Sequence, residues 1–336
     1  MTHTTEKFNQ ILKSFNIKAL CTNYQHIDNY FFYDIKLDLK SKIKDISKYS
    51  EEISLALHSP CKPSIKLLYS EGLVRLEFIS QSQSQSKLNL FDYFSNRDLP
   101  DGELICLLGK TVDGQKVWMD LSKNPHMIVS GTTGSGKSTL LHNIIANLIN
   151  YNKAQIYLMD PKNIEFYEYD KHIKYNMNIS YSYNDSYFVL ESLLCLMEQR
   201  HSMLRDGFLK SSFPPVVVII DEFADLIMQD KNNMFYNALL KLSQKCRSAK
   251  IHIILSTQRP SVNIINGSIK ANFPARIACK VTNHIDSKII IDSCGAENLL
   301  GNGDALLKDN SRTLERFQIA YTSAKEVCKY FGDIND

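Results

Sequence analysis

The chain has no apolar run approaching the length of about eighteen residues that a membrane-crossing helix requires. Residues 1–15 are polar and lack the apolar centre of a secretory signal. None of the 8 cysteines stands in a Cys-x-x-Cys pair: Cys21, Cys61, Cys106, Cys195, Cys246, Cys279, Cys294 and Cys328 are scattered singly. A structural zinc or a disulfide framework is therefore not expected, and reduced thiols fit a cytoplasmic, soluble chain. Acid is missing from one long stretch. Between Lys231 and Ile285 there is no Asp or Glu, but there are nine cations: Lys231, Lys241, Lys245, Arg247, Lys250, Arg259, Lys270, Arg276 and Lys280. The whole chain carries only +3, so the remainder is net acidic. Such a one-sided segment suggests a polyanionic partner, or a solvated face balanced by acids from elsewhere in the fold.

The 336 residues are 44% apolar, enough for one large or two medium domains with a real core. The most informative stretch runs from Met127 to Ser138. A short apolar strand feeds Gly131-Thr132-Thr133-Gly134-Ser135-Gly136-Lys137-Ser138-Thr139, and an amphipathic helix follows to about Ile149. This is G-x-x-x-x-G-K-[ST] in its strand–loop–helix setting. Glycines let the backbone wrap a polyphosphate, successive N–H groups point inward, and the helix N-terminus adds positive potential. Lys137 is expected to reach the β- and γ-phosphates of ATP, with the Ser138 hydroxyl on Mg2+. A chance Gly/Ser turn has no need of the strand before it or the helix after it.

The second anchor is Val216-Val217-Val218-Ile219-Ile220-Asp221-Glu222. Five apolar β-formers predict a strand buried on both faces, as in a parallel sheet covered by helices. The carboxylates then stand at its carboxyl end, where open α/β sheets place ligands. Asp221 is expected in the metal shell, and Glu222 is expected to polarise the attacking water. A third buried strand begins at Ile251 and ends in Ser256-Thr257-Gln258-Arg259-Pro260, so Gln258 can sense the γ-phosphate or simply brace the loop.

Before residue 100 the pattern predicts a small α+β unit: a helix to about residue 20, a strand at 30–39, and a helix at 47–58 capped by Ser47 or Ser50. A hairpin across Ser70-Glu71-Gly72 follows. Residues 80–86 repeat Ser-Gln and read as an exposed loop, and 98–102 mark the boundary. Strands at 104–108 and 116–119 lead to the phosphate loop, and a helix is expected at 185–204, with Tyr187, Leu190, Leu194, Met197 and Leu204 on one face. The Tyr/Asn/Lys-rich segment 162–184 gives no clear pattern. From about 104 to 321 helices and strands alternate, so the larger unit is expected to be α/β with a mainly parallel sheet.

Several of these stretches together resemble the FtsK/SpoIIIE family of double-stranded DNA translocases. They are residues 125–138, Ile220-Asp221-Glu222-Phe223-Ala224-Asp225-Leu226, 256–262, 269–278 and 295–304. The resemblance covers roughly residues 20–330 and implies that family's small α domain at 1–100 and a RecA-like P-loop NTPase domain at 101–336. It implies a homo-hexameric ring that steps along duplex DNA by hydrolysing ATP with Mg2+. It also implies that Arg247, in Lys245-Cys246-Arg247-Ser248-Ala249, reaches into the neighbouring subunit's ATP site. DNA contacts are implied at Lys270, Arg276, His284 and Lys288, although His284 stands where the family often has Lys and Lys288 where it often has Arg. The interval between Lys137 and Asp221 is short for the family. Its larger members add membrane helices and a winged-helix module, and the match here is to the motor part, which gives the expectation of a stripped motor serving a plasmid, phage or integrative element. The competing readings are a coupling or secretion ATPase acting on protein or nucleoprotein, and an ATP-gated binding module that does not turn over.

Overall fold

The computed structural model describes residues 4–332 apart from 28–29, 40, 80–87, 95–98, 152–153, 173–175 and 310–313. The Ser-Gln loop at 80–86 lies outside the described residues. Two sheets organise the chain, one of four strands and one of ten.

The first sheet is built from α1 (Thr5–Ser14), β1 (Ala19–Ile27), β2 (Tyr30–Leu37), α2 (Ile43–Lys48), α3 (Ser50–Ala56), β3 (Ser64–Leu68) and β4 (Leu73–Ile79). It is antiparallel, in the order β1-β2-β4-β3. Phe31, Tyr33 and Ile35 of β2 point with Leu76 and Phe78 toward Phe8 and Leu12 of α1. The Phe8 and Tyr33 rings stack with centroids 4.0 Å apart. The opposite face of β2 is also covered, because Tyr30 and Phe32 pack against Val112. Burial on both faces explains why the start of this strand does not alternate. The strand β1 has no counterpart in the sequence reading. It is an edge strand with Cys21 as its one buried residue, so it carries no hydrophobic alternation to detect. The expected helix at 47–58 is broken at Tyr49, and α3 has no side-chain cap. Ser50 is instead the first residue of α3, and its hydroxyl donates to the Ser47 carbonyl at 2.9 Å.

The second sheet begins with β5 (Ile105–Thr111), β6 (Lys116–Asp120) and β7 (His126–Ser130). It continues through α4 (Lys137–Tyr151), β8 (Gln155–Met159), α5 (Tyr167–His172), β9 (Met177–Ser180), α6 (Tyr183–Arg205) and β10 (Val216–Ile220). Next come α7 (Phe223–Gln229), α8 (Met234–Lys245), β11 (Ile251–Thr257), α9 (Gly267–Asn272), β12 (Ala275–Cys279) and α10 (His284–Ile291). It closes with β13 (Asp304–Lys308), β14 (Leu314–Ile319) and α11 (Ala324–Gly332). The strand order is β6-β5-β14-β13-β12-β7-β11-β10-β8-β9. From β12 to β9 all five junctions are parallel, and the other four are antiparallel. The mixed α/β fold with a mainly parallel sheet is therefore as the sequence predicts. Strands β7, β10 and β11 are buried along their whole length, with helices on both faces. Their register aligns Ile128, Leu255, Ile220 and Met159, so the loops after β7, β8, β10 and β11 open at one rim.

Two segments fall differently from their reading. Residues 162–184 supply α5 and β9, and β9 extends the parallel sheet beside β8. The segment 88–94 stands before residue 100 but packs on the large sheet: Leu90 lies in that core and its N–H donates to the Tyr321 carbonyl at 3.0 Å. Among the described residues no helix is long and apolar enough to cross a membrane.

Buried titratable groups give the fold a defined acid response. Burial depresses His126 to about 3 and His252 to about 4, and it lifts Glu77 to about 7. Between pH 6.5 and 4.5 the unfolded chain binds two imidazole protons that the native chain refuses. The native chain holds one carboxyl proton that the unfolded chain releases. The unfolded state thus binds about one proton more, and stability falls as pH falls. The expected loss is about 2 kcal/mol over that window, read from urea midpoints at the two pH values. A midpoint unchanged or higher at pH 4.5 would contradict it.

Candidate nucleotide-binding and hydrolysis site

The rim at the ends of β7 and β11 opens on a cavity of about 720 Å3. Thr132, Thr133, Gly134, Gly136, Lys137, Ser138, Thr139 and Gln258 line it, with Tyr30, Val112, Gln318 and Tyr321 on the far wall. The loop fits its sequence closely. Gly134 and Gly136 have φ of +76° and +105°, which a side chain disfavours. A Cβ on Gly136 would also lie 2.5 Å from the Gly303 backbone. That close approach lets a second loop brace the first: Asn302 N–H donates to the Gly134 carbonyl (3.1 Å) and Gly303 N–H to the Ser135 carbonyl (2.9 Å). Gln318 holds Asn302 in turn, and Tyr30 of the small sheet lies 3.3 Å from Gln318.

Lys137 opens α4 and is only 3% exposed. Its Nζ donates to Asp221 Oδ1 at 2.5 Å and to Ser256 Oγ at 2.9 Å. The Lys137 cation and the Asp221 carboxylate thus neutralise each other beside the loop. Glu222 follows on a left-handed residue, φ 51°, and is 1% exposed. Its carboxylate accepts from Thr257 Oγ1 at 2.7 Å and from the Gln258 N–H at 3.1 Å, and Lys162 Nζ stands 3.7 Å away. The side chain of Gln258 points to the phosphate loop and accepts from Thr133 Oγ1 at 2.9 Å. The structure therefore brings together Gly131–Thr139, Asp221, Glu222 and Gln258, which the sequence separates widely.

A third acid stands beside the loop, against Ser138. Ser138 Oγ donates to Glu165 Oε2 at 2.9 Å, and His142 Nε2 lies 2.8 Å from Glu165 Oε1. Burial alone would raise the Glu165 carboxyl, but hydrogen bonds from His142 and Ser138 and the charge of Lys137 hold it below its usual range. Lys162 and Glu165 were both missed in the sequence. The signal that flagged Asp221, a polar corner at the carboxyl end of a buried parallel strand, also applies to the corner after β8. Among the described residues, no three His, Cys, Asp or Glu side chains are grouped to hold a metal unaided. Ser138 and Asp221 instead offer hard oxygen donors beside a phosphate cradle, the donor set with which Mg2+ binds together with a nucleotide.

The remaining expected residues lie elsewhere. Arg247 is exposed in the turn after α8, in a separate depression with His201, Lys210, Lys245 and Ser248. It does not reach its own chain's cavity lining. His284 and Lys288 are exposed on α10. Lys270 is half-buried and donates to Asp292 at 2.8 Å, while Lys308 donates to the same carboxylate. Burial would raise the Asp292 carboxyl, but its three cations hold it far below the usual carboxylate range. Arg276 corrects its expectation as a DNA contact. It is 9% exposed, and its guanidinium donates to Asp292 and to the carbonyls of Phe273 and Lys270. Its fork points inward because β12 is buried on both faces. Of the nine cations in the acid-free stretch, Lys231, Lys241, Lys245, Arg247, Arg259 and Lys280 are exposed, whereas Lys250 is buried against Glu103.

Known proteins resemble this chain in sequence and in fold. Residues 95–212 and 179–262 match the FtsK/SpoIIIE family. The chain is 31% identical over 356 residues to the DNA translocase SpoIIIE of Bacillus subtilis, covering 96% of this chain and 44% of that protein. It is 30% identical over 346 residues to the DNA translocase FtsK of Listeria monocytogenes, covering 96% and 46%. The chain thus spans less than half the length of these curated relatives. Its fold matches the pCW3 conjugation coupling protein TcpA, solved as a monomer with ATPγS, at a TM-score of 0.68 and 20% identity over 99% of both chains. It also matches the cytoplasmic domain of the Thermomonospora curvata type VII secretion ATPase EccC, at a TM-score of 0.60 and 20% identity over 70% of this chain and 32% of that one. With a phosphate loop, an Asp-Glu pair and the family's match through both, the chain belongs to the FtsK/SpoIIIE family.

Proposed function

We propose that this chain is an ATP-driven motor that moves along duplex DNA as a ring of six copies. The observation that carries the reading is that Lys137, Ser138 and Gln258 line one cavity, with Asp221 bonded to Lys137 and Glu222 to the Gln258 N–H directly behind them. A binding module needs the phosphate loop alone, whereas turnover also needs a metal-side acid and a base. On ATP binding, Lys137 exchanges Asp221 for the β- and γ-phosphates. Asp221 and Ser138 would then hold Mg2+, whose charge offsets that developing on the phosphate oxygens. Glu222 leaves Thr257 and the Gln258 amide to take a proton from the attacking water. Gln258, on the loop beside Thr133, positions the γ-phosphoryl group. Arg247 of a neighbouring copy supplies the charge that this chain does not bring to its own site.

The exposed part of the acid-free stretch supports a polyanionic substrate, as do the translocase names of the relatives. Lys288 and His284 on α10 are the proposed DNA contacts, with Lys270 behind them. Contacts of Lys and Arg to the backbone carry no base information, which suits a motor running over any sequence. The test is the ATPase rate with and without long linear duplex DNA at two salt concentrations. Strong stimulation that fades at the higher salt is expected. A rate indifferent to DNA would overturn the reading in favour of a coupling ATPase acting on protein or nucleoprotein.

A further inference from the structure

Neither the phosphate loop nor the Asp-Glu pair gives Glu165 or His142 a role. We propose that Glu165, fixed by His142, is the positioning residue that turns the Ser138 hydroxyl toward the cation bound with the nucleotide. The inference rests on the nucleotide reading above.

A serine hydroxyl has one proton and two lone pairs. With its proton given to Glu165 Oε2 at 2.9 Å, Ser138 keeps its lone pairs for the cavity side. Asp221, the other carboxylate beside the loop, is engaged by Lys137 and Ser256 instead. Glu165 is not free to swing. Its Oε1 meets His142 Nε2 at 2.8 Å, and His142 Nδ1 meets the Tyr169 hydroxyl at 2.7 Å. A carboxylate only accepts, so Nε2 carries a proton. In the neutral ring Nδ1 is then left to accept from Tyr169. Both rings are buried, so water does not compete for these bonds.

The backbone around Glu165 is pinned as well. The N–H groups of Ile164, Glu165 and Phe166 all donate to Asp160 Oδ2, at 2.9, 2.8 and 3.0 Å. Ser138 and His142 lie four residues apart on α4 and share a face. One helix face and one strand-end corner thus converge on a single carboxylate. An acid present only for solubility needs none of these partners. A carboxylate behind a ligand fixes the ligand's orientation and raises its donor strength, and losing such a partner typically costs 10–100-fold in metal affinity.

The test titrates the full chain with a fluorescent ATP analogue, first in excess EDTA and then across Mg2+ concentrations. Glu165→Ala and the volume-conserving Glu165→Gln are expected to bind the analogue in EDTA as the natural chain does. The Mg2+ concentration that gives half the metal-dependent tightening should rise about tenfold or more in both. Ser138→Ala should show a similar shift, and adding Glu165→Ala to it should change nothing further, because one residue acts through the other. An unchanged Mg2+ dependence in Glu165→Gln would overturn the proposal, and so would shifts that simply add in the double variant. If Glu165→Ala does not fold, Glu165→Gln decides the matter. Failure of the natural chain to bind the analogue under any condition would instead overturn the nucleotide reading.

Discussion

Glu222→Gln is expected to bind ATP as the natural chain does and to turn over about 10²–10⁴-fold more slowly, the range lost with a general base. The magnitude follows from where the residue sits. Lys137, Ser138 and the loop amides are untouched by the change, so affinity is retained. What disappears is the Glu222 carboxylate, paired with neither Lys137 nor Ser138, which is the proposed acceptor of the proton from water. The substitution is also mild for the fold. Glutamine keeps an oxygen that accepts from Thr257 Oγ1, and the left-handed backbone at this position is unaffected by the terminal group. Single-turnover hydrolysis with a fluorescent analogue separates the two quantities. Turnover within tenfold of the natural chain would remove Glu222 from the base role. Lys162, which already touches both Glu222 and Asp225, would then become the place to look for how water is oriented.

How much of this could be read from residues alone depends on the kind of signal. The strands β7, β10 and β11 are legible because burial on both faces demands mainly apolar runs, and Met127–Val129, Val216–Ile220 and Ile253–Leu255 supply them. The phosphate loop is legible because its glycines are required by backbone geometry, at +76° and +105°, and at Gly136 also by the close approach of Gly303. Strand β1 is illegible because an edge strand with one buried residue carries no pattern. Arg276 misled for a related reason. A cation inside an acid-free stretch looks unpaired in sequence, but Asp292 folds back onto it, and only the tertiary fold shows that. Glu165 was hidden in a segment whose Tyr and Asn content blurs the period, although its position just after a buried parallel strand was a usable clue. The corner after β8 was available to the same rule that found Asp221.

Arg247→Ala is expected to keep nucleotide affinity within a few-fold and to lose about 10³-fold or more in turnover, the range for an arginine that stabilises charge on a transferring phosphoryl group. The residue is presented on a rigid turn. Ala249 and Ile251 N–H both donate to the Cys246 carbonyl, at 3.0 and 3.1 Å, and Arg200 clamps the Ala249 carbonyl at 2.6 Å. Its surroundings are cationic or neutral: among the described residues, the side chains lining the depression carry no carboxylate. A rigid exposed arginine among Lys210 and Lys245, outside its own chain's cavity, fits the proposed contact with an anion brought by another copy. Mixing decides whether it acts that way. Arg247→Ala subunits retain Glu222, and Glu222→Gln subunits retain Arg247. Where the first borders the second in the right order, one intact site forms from two inactive chains. An equimolar mixture should therefore recover a measurable fraction of the natural rate, rising with protein concentration as subunits assemble. Two inactive proteins that stay inactive together, while sedimenting as a mixed ring, would place the function of Arg247 within its own chain and break the link between hydrolysis and assembly.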